Sequence, residues 1–213
     1  MLIPHHPEAL EGLRRPTAED PLRVLVSGCL AGWRCGVTGD DNGLGGLLSA
    51  LFALPTVHVL AFCPEQHALG TPRGTPDLHG GDGLDVLEGR ATAKDEHGND
   101  LTDAMIAGAQ AMAAFAQAER AELALLTDAS AACGSEVISD GSRFAPVRRH
   151  QKGVGVATAA LLQLGLPVLS QRDHTSLARL RALLGAPEAP AAGPDHRAHP
   201  WVLANLPKPN PRA

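Results

Sequence analysis

Three cysteines stand just past the ends of three short apolar runs. Val24–Val26 leads into Ser27-Gly28-Cys29, Val57–Phe62 into Cys63-Pro64-Glu65, and Leu123–Leu126 into a polar loop that reaches Cys133-Gly134. Such a run reads as a buried strand that delivers a reactive side chain to its carboxyl end. If the three strands share one sheet, the three sulfurs converge on one crevice. Convergent thiolates have a few uses. They hold zinc with a fourth ligand, they hold a [4Fe–4S] cluster by three corners with the fourth iron open, or they act unaided through a low-pKa cysteine. An open iron is a Lewis acid that can take a soft sulfur atom from a substrate. The separations, 34 and 70 residues, match no compact ligand pattern, and no CxxC pair occurs. A local zinc finger or ribbon therefore has little support, and spacing alone does not choose among the rest.

Two further residues fall beside these sulfurs. Glu65 follows Cys63 by two, and Ser130 precedes Cys133 by three. Either can activate water or relay a proton in the same crevice. Taken alone, Glu65 reads as a solvated loop acid and Ser130 as a turn residue bonding its own backbone. The fourth cysteine, Cys35, reads as a buried thiol.

The elements that must position these groups are legible in outline. Val24–Val26, Val57–Phe62, Leu123–Leu126 and Pro167–Ser170 are expected strands. Leu44–Leu54, Ala104–Ala118, Val154–Gly165 and Ser176–Leu184 are expected helices. Thr102 or Asp100 can cap the second of them, and Met105, Ile106, Ala109, Met112 and Ala113 form its sheet-facing side, with Phe115 near the edge. Cys63–Gly83 is dense in Gly and Pro and reads as having no regular element. Leu84–Val86 and Arg90–Lys94 read as a short hairpin, and Thr127–Lys152 as a long loop with a turn at Asp140-Gly141. Strand and helix alternate four times, which argues for an α/β single domain: a mostly parallel sheet with helices on both faces. The expected organisation is a lead-in over 1–21, the α/β domain over 22–185 and a tail over 186–213, docked by Trp201, Leu203 and Leu206.

The whole chain sets bounds. Its 213 residues are 44% hydrophobic, enough for one domain with a real core. A net charge of −5 gives no general attraction to nucleic acid, and the basic spot at Arg148-Arg149-His150 and Lys152 reads as a solvated loop. No apolar run is long enough to span a membrane. No export signal is evident, so the expected compartment is the reducing cytoplasm, where clustered cysteines bind metal or catalyse rather than form disulfides.

Five stretches, SGCLAGWRCGVTG, FCPEQHALGTPR, GGDGLDVLEGRATAKDEHGNDLTDAMIAGA, ASAACG and GVGVATAALLQLGLPVLS, resemble in order the landmarks of the domain of unknown function 523 family. Its characterised members are thiouracil desulfidases. The resemblance spans residues 23–171. It implies a Rossmann-like fold and a [4Fe–4S] cluster held by Cys29, Cys63 and Cys133. It also implies removal of sulfur from a small thiolated pyrimidine or nucleotide, giving the oxo base and hydrosulfide. Glu65 and Ser130 match acidic and hydroxyl positions near the family's site. The chain departs from the family where Gly36-Val37-Thr38-Gly39 replaces the usual Arg-Tyr-Asp-Gly, where Thr127 stands for the usual Lys, and where Ala131-Ala132 replaces Pro-Ser before Cys133. A different class of function, a non-catalytic cluster or sulfur carrier or a redox sensor, also fits a chain that keeps the ligands and alters the pocket.

Overall fold

The computed structural model describes residues 10–186. Four parallel strands form the main sheet: β1 (Leu22–Ser27), β2 (Val57–Phe62), β5 (Leu123–Leu126) and β8 (Val168–Ser170), in the order β2-β1-β5-β8. Between β2 and β5 the chain holds α2 (Pro64–Leu69), β3 (Asp77–His79), α3 (Gly83–Leu87), β4 (Thr92–Lys94) and α4 (Thr102–Ala118). β6 (Val137–Ser139), β7 (His150–Lys152) and α5 (Val156–Gln163) follow β5. α1 (Ser49–Phe52) lies between β1 and β2, and α6 (His174–Leu183) follows β8.

Alternate side chains leave each strand on opposite faces. Leu25, Ala124, Leu126 and Val168 enter one core with Met105, Ala109 and Met112 of α4 and nearly all of α5. Leu22, Val24, Val26, Leu123, Leu125 and Leu169 enter the other, with Leu51 of α1 and Leu177 and Leu180 of α6. Helices thus cover both faces of a parallel sheet, as expected. Of the lead-in, Leu10 and Leu13 pack on the second core, and the Arg14 guanidinium grips Glu122 at 2.6 Å. The tail reading, with Trp201, Leu203 and Leu206, lies outside the described residues.

Several expected elements differ. The helix at Leu44–Leu54 shrinks to α1. Asp41 draws in the N–H groups of Gly43 and Gly45, and Gly43 and Gly46 take φ of +68° and +95°, so no helix can start before Leu48. Cys63–Gly83 is not irregular. Pro64 occupies the first helical position of α2, where its missing N–H costs nothing, and β3 pairs antiparallel with β4. The expected hairpin at Leu84–Val86 is α3, opened by a capping box between Asp82 and Asp85. α4 begins after Leu101, with the Asp100 carboxylate accepting the Thr102 N–H at 2.8 Å, while the Thr102 hydroxyl accepts the Ala93 N–H. The loop after β5 contains the antiparallel pair β6–β7, turned at Gly141 with φ of +91°.

The sheet order places a topological switch point between β1 and β5, because the chain leaves β1 to opposite sides. Ligands of open α/β sheets bind in the crevice beyond the strand ends at that point.

Candidate active site

Each cysteine arrives at this crevice by a different local device. After β1 the Gly28 N–H bonds the Phe62 carbonyl at 2.8 Å, so Cys29 and Cys63 leave adjacent strands side by side. A Cβ at Gly28 would stand 3.2 Å from both Cys35 Sγ and Cys63 Cβ and 2.9 Å from Trp33; only glycine lets the two loops close. Cys63 caps α2, its Sγ accepting the Gln66 N–H at 3.4 Å. Cys133 comes from the loop after β5. There the buried Asp128 carboxylate accepts the N–H groups of Ser135, Glu136 and Val137. The Ala131 and Ala132 carbonyls accept the first N–H groups of α5, which a helix start otherwise leaves unpaired. The Thr158 hydroxyl donates to the Cys133 carbonyl at 3.0 Å.

The packing of that loop on α5 depends on Gly155. A Cβ there would lie 2.4 Å from the Ala132 carbonyl carbon and oxygen, backbone that cannot yield. Gly155→Ala is expected to destabilise the fold by about 1–3 kcal/mol and to loosen the Cys133 loop, read as a lowered Tm.

Cys29, Cys35, Cys63, Cys133, Glu65 and Ser130 all line one cavity of about 570 Å³. The structure therefore brings together every site residue expected from sequence. Glu65 and Ser130 meet directly: the Ser130 hydroxyl faces Glu65 Oε1 at 3.4 Å and accepts the N–H groups of Ala132 and Cys133 at 3.2 and 3.0 Å. Thr127, where the family usually has lysine, sets its hydroxyl 3.0 Å from Cys29 Sγ. Arg73, Asp128, Arg143, Gln171 and Arg172 also line the cavity. Sequence reasoning gave them no role. Arg73 was hidden in the Gly/Pro-dense stretch, and the others follow strands without a distinguishing spacing.

Cys35 is more than a buried thiol. It is almost fully buried and hydrogen-bonds both Cys29 and Cys63, which holds the proton on Cys35 and raises its pKa far above the ordinary range. The same bond, aided by Thr127, lowers the Cys29 thiol to about 7, and the Cys35 bond also lowers Cys63. Burial pushes the Cys133 thiol up, opposed by a hydrogen bond from Ser27. The Cys29 thiol thus ionises more readily than an ordinary cysteine. Cys35→Ala removes the largest stabiliser of that thiolate and is expected to raise the Cys29 pKa. Alkylation of Cys29 at pH 7 should slow severalfold, measured by mass spectrometry across pH.

The donor set suits a cluster rather than a single ion. No group of three or more His, Cys, Asp or Glu among the described residues is arranged to hold one metal ion. A cubane spaces its thiolates more widely, on the order of 6–7 Å, and soft sulfur is its ligand. Cys29, Cys63 and Cys133 put three soft sulfur donors into one cavity.

A doubly wound α/β domain with a cysteine-lined crevice at its switch point is the class this chain defines. Residues 24–173 match the family described as 2-thiouracil desulfurase, and the chain belongs to that family. It is 31% identical over 151 residues to the uncharacterized protein YbbK of Bacillus subtilis (strain 168), covering 70% of this chain and 96% of that one. It is also similar to the solved structure of the [4Fe-4S]-dependent thiouracil desulfidase TudS, with a TM-score of 0.61 and 32% identity over 76% of this chain and 99% of the other. No helix among the described residues is long and apolar enough to cross a membrane.

Proposed function

We propose that the protein is an iron–sulfur desulfidase that removes sulfur from a thiolated pyrimidine, giving the oxo base and hydrosulfide. The observation that carries the reading is the meeting of the Glu65–Ser130 pair with Cys29, Cys63 and Cys133 in one cavity. Cys29, Cys63 and Cys133 would hold the cluster. Bound there, a [4Fe–4S] cluster with one open iron supplies a soft Lewis acid for the departing sulfur. The remaining chemistry belongs to the chain. Water adds its oxygen to the thiocarbonyl carbon as the C–S bond breaks, and no electron is gained or lost. Glu65 Oε1 takes a proton from that water, the Ser130 hydroxyl beside it passes one to the departing sulfur, which leaves as hydrosulfide, and the water's other proton goes to solvent.

The cavity also suits a nucleotide. Arg143 and Arg172 both line it. A phosphate on the substrate would be met there. Thiouridine monophosphate is therefore expected to show a higher kcat/KM than free thiouracil. Arg172→Ala should abolish most of that preference through KM, with free thiouracil unaffected.

Hydrosulfide release from thiouracil or thiouridine monophosphate by cluster-reconstituted protein tests the reading. Brown protein that turns over neither substrate, nor any other thiolated pyrimidine, would instead favour the carrier or sensor.

A further inference from the structure

We infer that Arg73 is a positioning residue that aims the Glu65 carboxylate at the reacting carbon. The inference rests on Glu65 acting as the proton acceptor. Arg73 is nearly buried, its side chain 5% exposed against 13% for Glu65. Its Nη2 and Nε both donate to Glu65 Oε2, at 2.7 and 3.2 Å. The two nitrogens anchor Oε2, and with that oxygen held Oε1 faces the Ser130 hydroxyl at 3.4 Å.

The guanidinium is itself held from three sides. Nη2 also donates to the Cys35 carbonyl at 2.9 Å, and Nη1 donates to the Gly70 carbonyl at 3.0 Å and the Thr71 hydroxyl at 3.1 Å. The Arg73 N–H reaches the Val37 carbonyl at 3.1 Å. Arg73 therefore ties the turn after β1, which carries Cys35, to the helix after β2, which carries Glu65. Among the described residues, the other side chain that meets this carboxylate on the first turn of the six-residue α2 is Ser130. A planar, five-donor head can make all these bonds at once; the single ammonium of lysine cannot reproduce the fork. General-base catalysis depends on such orientation, since a displacement of the base by an ångström costs rate without costing affinity.

The test is a double-mutant cycle on cluster-loaded protein, with thiouracil as substrate, hydrosulfide as readout and iron content measured in parallel. Arg73→Gln and Arg73→Lys are each expected to lower kcat at least tenfold with KM changed less than threefold and iron content unchanged. In the Glu65→Gln background the same substitutions should cost nothing further, because a residue that acts only through Glu65 has nothing left to position. Crystal structures of the variants should show the Glu65 carboxylate rotated away from Ser130. Full kcat in both Arg73 variants overturns the inference, and so does a loss of the same size in the Glu65→Gln background, which marks a general structural role. If Arg73→Gln does not fold, Arg73→Lys decides by the same comparison. An undiminished rate in Glu65→Gln alone overturns the proton-acceptor reading first, and is told apart from a failure of positioning because the Arg73 background is then intact.

Discussion

Cys133→Ala is expected to abolish stable cluster binding while leaving the fold standing. The loop that carries Cys133 is fastened by groups other than its sulfur. Asp128 gathers three backbone N–H groups, Ala131 and Ala132 cap α5, and Ser130 bonds two more N–H groups. Deleting one buried sulfur atom from such a frame costs stability of about 1 kcal/mol. The cluster fares differently, because two remaining thiolates leave it labile. Purified without oxygen, the wild type is expected to be brown with a broad absorption near about 400 nm, and the variant colourless. Iron and sulfide per chain, read beside Tm, check the result; equal iron in the two proteins contradicts the ligand assignment.

The second large effect concerns turnover with the cluster retained. Glu65→Gln keeps the size of the side chain and removes its capacity to accept a proton. Ser130→Ala removes the hydroxyl 3.4 Å from that carboxylate. A positioned acid–base group contributes about 10²–10⁴-fold, so each variant is expected to release hydrosulfide at least tenfold more slowly at unchanged iron content. Ser130→Ala carries a second consequence that Glu65→Gln does not. Its hydroxyl accepts the Ala132 and Cys133 N–H groups, and losing it costs about 1 kcal/mol of stability as well. A lowered Tm is therefore expected for Ser130→Ala by this route, and for Glu65→Gln by another, because it leaves the nearly buried Arg73 guanidinium without its charged partner. Full activity in both variants removes the pair from the mechanism and leaves the cysteines in place.

The strands of the sheet were legible because each is a short apolar run bounded by turn residues, and buried parallel strands carry little else. The convergence of Cys29, Cys63 and Cys133 followed from that alone, since parallel strands end at the same edge. Residues 44–54 misled because the apolar content suggested a helix while three glycines and Asp41 supplied a competing turn. The Gly/Pro density of Cys63–Gly83 hides α2, although Pro64, just inside its start, is a residue that favours a helix N-terminus. Glu65 was legible from its neighbour Cys63. Arg73 was not, because its partnership with Glu65 depends on the path of an intervening loop that no local pattern encodes. Cys35 was legible as buried, but its bonds to two other thiols depend on Gly28, whose missing side chain lets them meet.

No two of Cys29, Cys63 and Cys133 share a loop, and Cys133 joins the others only when β5 has paired with β1. These three cysteines therefore form no local trap for iron in a chain emerging during synthesis, unlike the paired cysteines of a finger that collect zinc and fold around it. On the proposed reading, cluster acquisition would follow folding, as an exchange between a finished apoprotein and whatever delivers iron and sulfide. The two packed cores, rather than the metal, must keep the empty protein alive until that delivery. Loss of the cluster to oxygen on this scheme silences the protein without unfolding it, and the same molecule can be loaded again.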